Sequence, residues 1–335
     1  MLVRAAGMQD IEALLALAAS AGSGLTSLPA SEDRLVARLQ SVEQSFRGEA
    51  PQADADYLFV LEDEKGRLVG TSGMLGAAGM REPWYSYRMG LTVAASRGLD
   101  IYRQQPTLFL VNDLTGATAL CSYFLDASAR QGDNARLLSK ARFMFMADCP
   151  QDFSSRVIVE MRGLSDSAGR SPFWDSLGQH FFRMDFARAD YLTGIGNKAF
   201  IAEMMPKFPL YACFLSDAAR EAIGQVHPDS EAGRAVLEEG MCYQGYIDIF
   251  DGGATLEAQR SQVRAIRDSR NLLLSVGTPG DDAATHLIYN RTRESCRMIA
   301  APARIAAGTL VVSSASAELL RLRAGTPVRA VALQG

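Results

Sequence analysis

Residues Ser128–Phe143 of this chain read SARQGDNARLLSKARF, and they join a predicted strand, Ala117–Leu125, to a predicted helix that begins near Asn134. A turn of this kind directs successive backbone N–H groups toward one point, and the N-terminus of the helix adds partial positive charge. From these residues alone two interpretations stand level. The turn either holds an anion such as a pyrophosphate, or it is a plain corner with a solvated basic face.

The segments around this turn predict the fold class. Two helical patterns come first, over Ile11–Leu17 and from a Ser31 N-cap to Val42. Strand patterns and further helices then follow in the order that an α+β fold requires, with one strand–helix–strand crossover. The strands are predicted at Tyr57–Glu62, Leu68–Met74, Trp84–Val93, Thr107–Leu114, Ala117–Leu125, Val157–Met161 and Leu210–Leu215, and the helices at Asn134–Met146, Pro172–Phe182 and Asp217–Ile223.

The pattern changes after Gly245. A strand is predicted at Tyr246–Phe250 and a short helix at Ala258–Ile266. From Asn271 onward short β-like runs dominate, punctuated by Gly and Pro: LLLSV, HLIY, CRMIA, TLVVS and VRAVAL. We therefore predict two domains, a larger one at 1–245 and a small β-rich C-terminal domain at 246–335.

Composition limits the class of protein. The 335 residues carry a net charge of −4, with 48% hydrophobic and 21% charged residues, which is typical of a soluble globular protein and disfavours nucleic acid or an anionic membrane as a partner. No apolar run approaches the roughly 18 residues of a membrane span, and the first residues lack the basic start of a signal peptide. The 5 cysteines form no CxxC pair, which fits reduced thiols. We expect a cytoplasmic protein.

Few side chains stand out as catalytic candidates. The 3 histidines, His180, His227 and His286, have no metal-ligand spacing, so we expect no metal. His227 precedes a proline and belongs to the residue type suited to proton transfer near neutral pH, but a solvated turn histidine is the simpler interpretation. His180, between apolar neighbours, indicates a core or groove residue. Glu160 lies in the apolar strand VIVEM and is either a general base or the ion-pair partner of an arginine such as Arg162.

The run Arg130–Ala135, RQGDNA, resembles the acyl-CoA pyrophosphate motif of the GNAT N-acyltransferases, and the order of elements matches that fold. The resemblance implies a GNAT-type mixed, mostly antiparallel sheet flanked by helices, with the β-rich region as an extension. Asp133 stands where the motif usually has glycine. An acid there would be unfavourable beside a pyrophosphate unless its side chain turns away.

Longer stretches resemble the arginine N-succinyltransferase family and cover nearly the whole chain. They include AGSGLTSLPAS, REPWYSYRMGL, TLFLVNDLTG, LLSKARFMF, IGQVHP and YIDIFDGGATLEA. The resemblance implies direct transfer of the succinyl group of succinyl-CoA to the α-amine of arginine, or of ornithine, with no permanently bound cofactor and no metal. It also implies a homo- or hetero-oligomer with a paralogous subunit. The alternative is a non-catalytic or regulatory partner subunit of a two-chain succinyltransferase.

The resemblance also assigns site residues. His227 becomes the expected proton donor, and Glu160 stays a general-base candidate. The expected contacts of succinyl-CoA are Leu125, Arg130, Gln131, Gly132, Asn134, Ala135 and Arg136. A cationic acceptor needs an acid for its guanidinium and donors for its carboxylate, so Asp113, Thr26, Ser27 and His180 are the expected substrate contacts.

Overall fold

The computed structural model describes residues 1–21, 28, 31–166, 169–186, 188–189, 192, 204–228, 230, 235–281 and 283–334. The prediction of a fold that mixes helices and strands is confirmed. The strands are β1 Leu2–Ala5, β2 Asp56–Glu62, β3 Leu68–Leu75, β4 Ser86–Ser96, β5 Ile101–Val111, β6 Thr118–Leu125, β7 Arg156–Glu160, β8 Leu210–Tyr211, β9 Cys242–Ile247, β10 Ala254–Gln259, β11 Arg270–Val276, β12 Ala284–Tyr289, β13 Arg297–Ala306, β14 Thr309–Val312 and β15 Pro327–Ala332.

The helices of the described residues are shorter in the second half of the chain than in the first. They are α1 Ile11–Ala21, α2 Glu32–Arg47, α3 Asn134–Asp148, α4 Pro172–Ser176, α5 Gly178–Phe182, α6 Asp217–Ala222, α7 Arg264–Arg267 and α8 Ser314–Leu320. None of these helices is long and apolar enough to cross a membrane.

A long sheet runs through the molecule in the strand order β13-β1-β2-β3-β6-β7-β10-β9-β4-β5-β8. Its neighbours pair antiparallel, except that β6 and β7 pair parallel, with Thr118 opposite Val157. Parallel neighbours need a crossover, and α3 provides it, because it lies between β6 and β7 in the chain.

Helices α2 and α3 both pack against this sheet. The Ser72 hydroxyl on β3 donates to the Leu138 carbonyl of α3 at 3.0 Å, whereas the next residue, Gly73, faces Arg38 of α2. Successive residues of a strand point to opposite faces, so these two contacts lie on different sides of β3. The C-terminal part of α2 nevertheless meets α3, because the rings of Phe46 and Phe145 have centroids 5.2 Å apart. The main core contains Leu39 of α2, Phe59 of β2 and Phe145 of α3, all fully buried.

A second apolar cluster covers the other end of the sheet. There α4, α5 and α6 pack on β4, β5 and β9, and the rings of Trp174 and Phe182 stack with centroids 5.3 Å apart. This cluster is separate from the main core, so β4, β5 and β9 are stabilised by an apolar core of their own.

Strands β11–β15 close on themselves into a small five-stranded barrel. β11 pairs with β14, β14 with β13, β13 with β12, β12 with β15 and β15 with β11 again. A closed ring removes exposed strand edges. β13 also pairs with β1, and this pairing joins the barrel to the long sheet.

The five β-like runs predicted after Asn271 all form strands of this barrel, but several local predictions were wrong. The helix predicted over Ala258–Ile266 begins only at Arg264, because β10 continues to Gln259 in a ladder with β7. The helix predicted over Pro172–Phe182 is two helices, since Leu177 leaves helical geometry. The strand predicted over Leu210–Leu215 ends at Tyr211. The boundary at 246 stays a prediction, although β9 and β10 pair within the long sheet.

Candidate active site

Strands β6 and β7 separate at one end, and this separation defines the candidate site. Their pairing ends at Leu120 opposite Val159, whereas β6 continues to Leu125 with only β3 beside it. On the other side β7 continues along β10, with Glu160 opposite Thr255. The backbone of residues 121–125 therefore has an open edge where an extended ligand can pair.

A bulge in β6 lies at this open edge. Thr71 of β3 is opposite Phe124 and Gly73 is opposite Cys121, so two residues of β6 oppose one of β3. Ser122 adopts a left-handed φ of 51°, an uncommon conformation for a residue with a side chain. Its carbonyl accepts a hydrogen bond from the Thr71 hydroxyl at 2.8 Å, which fixes the bulge.

Arg38 of α2 also stabilises this bulge, through a hydrogen bond to the side chain of Ser122. Its Nη1 donates to the Ser122 hydroxyl at 2.8 Å, and its Nε donates to Asp56 at 2.8 Å. Burial lowers the pKa of Arg38, but the charge of Asp56 and its hydrogen bonds contribute to a net rise above the ordinary value, so Arg38 stays charged. A buried ion pair thus connects α2, β2 and β6 at the open edge.

The turn after β6 leaves a row of backbone donors unused. Asp126 caps a short 3-10 helix, Ala127–Ala129, and Gly132 takes a φ of 62° before α3 begins. Within the described part of the chain, none of the backbone N–H groups of residues 131–136 donates to a protein acceptor. These donors lie at the N-terminus of a helix of 15 residues, where an anion is favoured.

The Asp133 side chain turns away from these donors. Its Oδ1 accepts from Arg136 at 2.9 Å and from Gln334 Nε2 at 3.2 Å. Arg136 in turn donates to both carboxylate oxygens of Glu238 at 2.8 Å. The hydrogen bonds with Glu238 and Asp133 raise the pKa of Arg136. The guanidinium therefore neutralises two carboxylates and does not project unpaired into the loop.

The other predicted donor-site residues lie around the same turn. Leu125 is buried at the end of β6, and its carbonyl accepts from Arg130 Nε at 3.2 Å. The Asn134 side chain donates to the Ala129 carbonyl at 3.0 Å, which closes the turn. Gln131 and Arg130 are exposed and Ala135 is half-buried. Lys140, by contrast, is buried and bonds the Leu333 carbonyl at 2.5 Å, away from the loop.

His227 and Glu160 come to the same end of the sheet. The backbone N–H of His227 donates to the Arg162 carbonyl at 2.8 Å, two residues beyond Glu160. Gly224 N–H donates to the Gly252 carbonyl at 2.8 Å, so the His227 turn lies against the loop after β9. His227 and Glu160 are both half-buried, so both remain partly accessible.

Two carboxylates lie beside this region, the buried Asp251 and the half-buried Asp248, and sequence reasoning did not find them. Asp251 accepts from the backbone N–H groups of Gly163 and Gly253 at 2.7 and 2.8 Å, and Asp248 accepts from that of Phe250 at 2.7 Å. Burial raises the pKa of both carboxyls, and in Asp251 the negative charge of Asp248 adds to the effect. The pair holds the chain beside the His227 turn.

The predicted acceptor contacts do not gather around this site. Asp113 precedes β6, so the 8 residues of that strand, about 23 Å, separate it from the turn that follows Leu125. Its carboxylate accepts from the Tyr246 hydroxyl at 3.0 Å. His180 is exposed on α5, in the lobe formed by α4–α6. Thr26 and Ser27 lie outside the described residues.

Sequence reasoning missed Arg38 as a site residue. Its signal is weak: one arginine between Leu35 and Leu39 on the apolar face of α2. No group of three or more His, Cys, Asp or Glu side chains in the described residues is placed to hold a metal ion.

Comparison with known proteins identifies the family. The family described as arginine N-succinyltransferase beta subunit matches residues 1–265, and the one described as its C-terminal domain matches residues 270–332. Subunit beta of the arginine N-succinyltransferase of Pseudomonas aeruginosa is 60% identical over 334 residues, which are 99% of this chain and 98% of that protein. The arginine N-succinyltransferase of Escherichia coli is 48% identical over 336 residues, with the same coverage of 99% and 98%.

A solved structure agrees with these relatives. The arginine/ornithine succinyltransferase subunit AI from Pseudomonas aeruginosa is similar with a TM-score of 0.91 and 36% identity, over 100% of this chain and 99% of that chain. The similarity covers both the long sheet and the C-terminal barrel. This chain belongs to the arginine N-succinyltransferase family.

Proposed function

We propose that this chain transfers the succinyl group of succinyl-CoA to the α-amine of arginine, on a GNAT-type acyltransferase fold. The observation that carries the proposal is the adjacency of two features. An open strand edge at residues 121–125 runs directly into a turn whose backbone N–H groups, 131–136, have no acceptor in the described chain. An acyl-CoA has an extended pantetheine arm that ends in a pyrophosphate. The open strand edge matches the arm, and the N–H groups of the turn match the pyrophosphate.

The donor would lie along β6 with its pyrophosphate at the start of α3. The N–H groups of Gln131, Gly132, Asn134 and Ala135 would bind the phosphate oxygens, and Arg130 would add charge from an exposed position. Arg136 would act indirectly, since it keeps the Asp133 carboxylate turned away. Leu125 would contact the pantetheine arm of the donor.

The transfer then needs two proton movements. The neutral α-amine attacks the thioester carbonyl carbon, a C–N bond forms, and the C–S bond breaks when the tetrahedral intermediate collapses. The amine nitrogen loses a proton, and the CoA thiolate gains one. Glu160 at the end of β7 would accept the first proton, and His227 would donate the second, because both lie at the end of the sheet where β6 and β7 part.

The bulge at Ser122 would supply the remaining requirement. A carbonyl under attack develops negative charge on its oxygen, and a backbone N–H fixed beforehand stabilises that charge. The Arg38–Asp56 pair and the Thr71 hydroxyl fix the bulge before any ligand arrives. The alternative, a non-catalytic partner subunit, is less well supported, because the turn, the open edge and His227 are all retained in one chain.

The experiment is a transfer assay with the purified chain. Succinyl-CoA and L-arginine together should release free CoA thiol, and mass spectrometry should find one N-succinylarginine for each thiol. L-ornithine in a parallel reaction measures the acceptor preference. If no thiol is released, even with a paralogous partner subunit present, the proposal is wrong. Release only in the presence of that partner would support the non-catalytic role.

A further inference from the structure

Arg142 is a buried cation beside the strand that borders the open edge. It projects from α3, is 1% exposed, and its guanidinium carbon lies 5.7 Å from the centroid of the Tyr123 ring. Its Nε donates to the Ser139 carbonyl at 3.1 Å, and its Nη2 donates to the Ser139 hydroxyl at 2.9 Å. Among the described residues it has no carboxylate partner. Two of its five N–H donors are used in this way.

Two other cations that are buried or nearly buried in the described residues each pair with an acid. Arg38 pairs with Asp56 at 2.8 Å, and Lys140 pairs with Glu239 at 3.2 Å. Burial lowers the pKa of Arg142 to about 10, which still leaves it charged at neutral pH. A buried charge without a counter-ion costs several kcal/mol. A cation kept in this state is therefore available to an anionic ligand.

Arg142 lies at the inner end of the open edge. Tyr123, whose ring it faces, and Cys121 are the residues on either side of the bulge at Ser122, and strand pairing with β7 ends at Leu120. Burial raises the pKa of the Cys121 thiol, while the charges of Arg38 and Arg142 lower it, so both cations act on the same point of β6.

We propose that Arg142 binds the terminal carboxylate of the succinyl group and so selects a dicarboxylic acyl donor over a neutral one. The proposal rests on the proposed function. In succinyl-CoA the carboxylate carbon lies two methylene groups, about 4 Å, beyond the thioester carbon. A thioester at the bulge would direct its carboxylate toward the neighbouring Tyr123, whose ring Arg142 faces at 5.7 Å. A guanidinium suits this task, because it can donate two parallel hydrogen bonds to the two oxygens of a carboxylate. A neutral acyl chain has no acceptor atoms at that end.

The test compares succinyl-CoA with butyryl-CoA, which has the same number of acyl carbons and no carboxylate. For each donor kcat/KM is measured with saturating arginine, in the wild type, Arg142→Met and Arg142→Lys. We expect Arg142→Met to lower the ratio of succinyl-CoA to butyryl-CoA by about 10- to 100-fold, the usual worth of a charged hydrogen bond. The ratio in Arg142→Lys should lie between those of the wild type and Arg142→Met. Because both rates come from one sample, a loss of folded protein does not change the ratio.

A matched control removes a different part-buried arginine. Arg4 pairs with Asp10 and Glu62 on β1, far along the sheet from β6, so Arg4→Met should destabilise the fold and leave the donor ratio unchanged. An unchanged ratio in Arg142→Met would overturn the proposal. A wild type that releases no thiol from succinyl-CoA would instead overturn the proposed function. The donor ratio therefore tests the role of Arg142 separately from the activity itself.

A second measurement covers the case in which the Arg142 variants do not fold. A crystal of the wild type with a non-hydrolysable thioether analogue of succinyl-CoA shows the carboxylate directly. Carboxylate oxygens within about 3 Å of the guanidinium nitrogens support the proposal. A carboxylate bound to other residues, with Arg142 still bonded only to Ser139, contradicts it.

Discussion

Asp133 and Arg136 form an ion pair across the first turn of α3, with Arg136 Nη1 2.9 Å from Asp133 Oδ1. The pair resolves the conflict that an acid poses in a loop proposed to hold a pyrophosphate. The carboxylate is bonded to Arg136 and Gln334, and the backbone N–H groups of residues 131–136 have no acceptor among the described residues.

This relationship predicts how the loop responds to substitution. Arg136→Gln should raise the KM for succinyl-CoA by about fivefold, or 1 kcal/mol, because Asp133 loses its partner beside the phosphates. The KM for arginine should stay close to its wild-type value. Initial rates over a range of succinyl-CoA concentrations measure the effect.

The double variant Asp133→Asn with Arg136→Gln is the control for that prediction. If Arg136 acts by neutralising Asp133, removal of both charges should restore most of the affinity. A double variant that binds succinyl-CoA as poorly as Arg136→Gln would show that Arg136 contacts the phosphates itself.

His227→Gln should lower kcat by about 100-fold, the typical worth of a positioned general acid. The KM for succinyl-CoA should hardly change, since His227 lies at the end of β7 and not at the phosphate turn. Steady-state kinetics separate the two constants. His286→Gln is the matched control, because His286 lies in the C-terminal barrel and bonds the carbonyl of Ala284. Equal losses in both variants would remove His227 from the mechanism.

Arg38→Met should destabilise the protein by about 3 kcal/mol, because it leaves the Asp56 carboxylate, 15% exposed, without its partner. It should also lower kcat, since Ser122 loses the donor that helps to hold the bulge. Urea unfolding and initial rates measure the two effects. In the double variant with Asp56→Asn the stability losses should be less than additive. Additive losses would mean that the ion pair contributes nothing to the fold.

Stability should depend on pH through the pair Asp248 and Asp251. Their folded-state pKa values are raised above the ordinary value of about 4, so the native state binds more protons than the unfolded state at pH values above that. The free energy of unfolding contributed by the pair is therefore lost as pH rises from about 4 toward neutrality and beyond. Asp251→Asn does not titrate, so it should gain stability relative to the wild type as the pH is raised from about 5 to about 8.

Urea unfolding at the two pH values tests this prediction. Glu12→Gln removes an exposed carboxylate from α1 and should follow the wild-type pH dependence. Parallel curves for the wild type and Asp251→Asn would contradict a raised pKa in the folded protein.

Local patterns anticipated much of the fold. The strand patterns at Tyr57–Glu62 and Leu68–Met74 predicted β2 and β3, and the apolar face with Leu137 and Leu138 predicted α3. The failures occurred where tertiary pairing overrides local preference. Ala258 and Gln259 extend β10 because β7 offers them a ladder, and a single sequence does not show that neighbour.

The sequence by itself determined the family and the chemistry-bearing segments, since the turn Arg130–Ala135 and the run that contains His227 are contiguous in the chain. The tertiary structure alone decided what these segments meet. It parted β6 from β7 after Leu120, and it placed Arg38 on the bulge and Arg142 beside it. It also turned Asp133 toward Arg136 and left Asp113 at the far end of β6. Such relationships depend on strand register and on ion pairs between distant residues, which only the packed fold brings within a few ångströms.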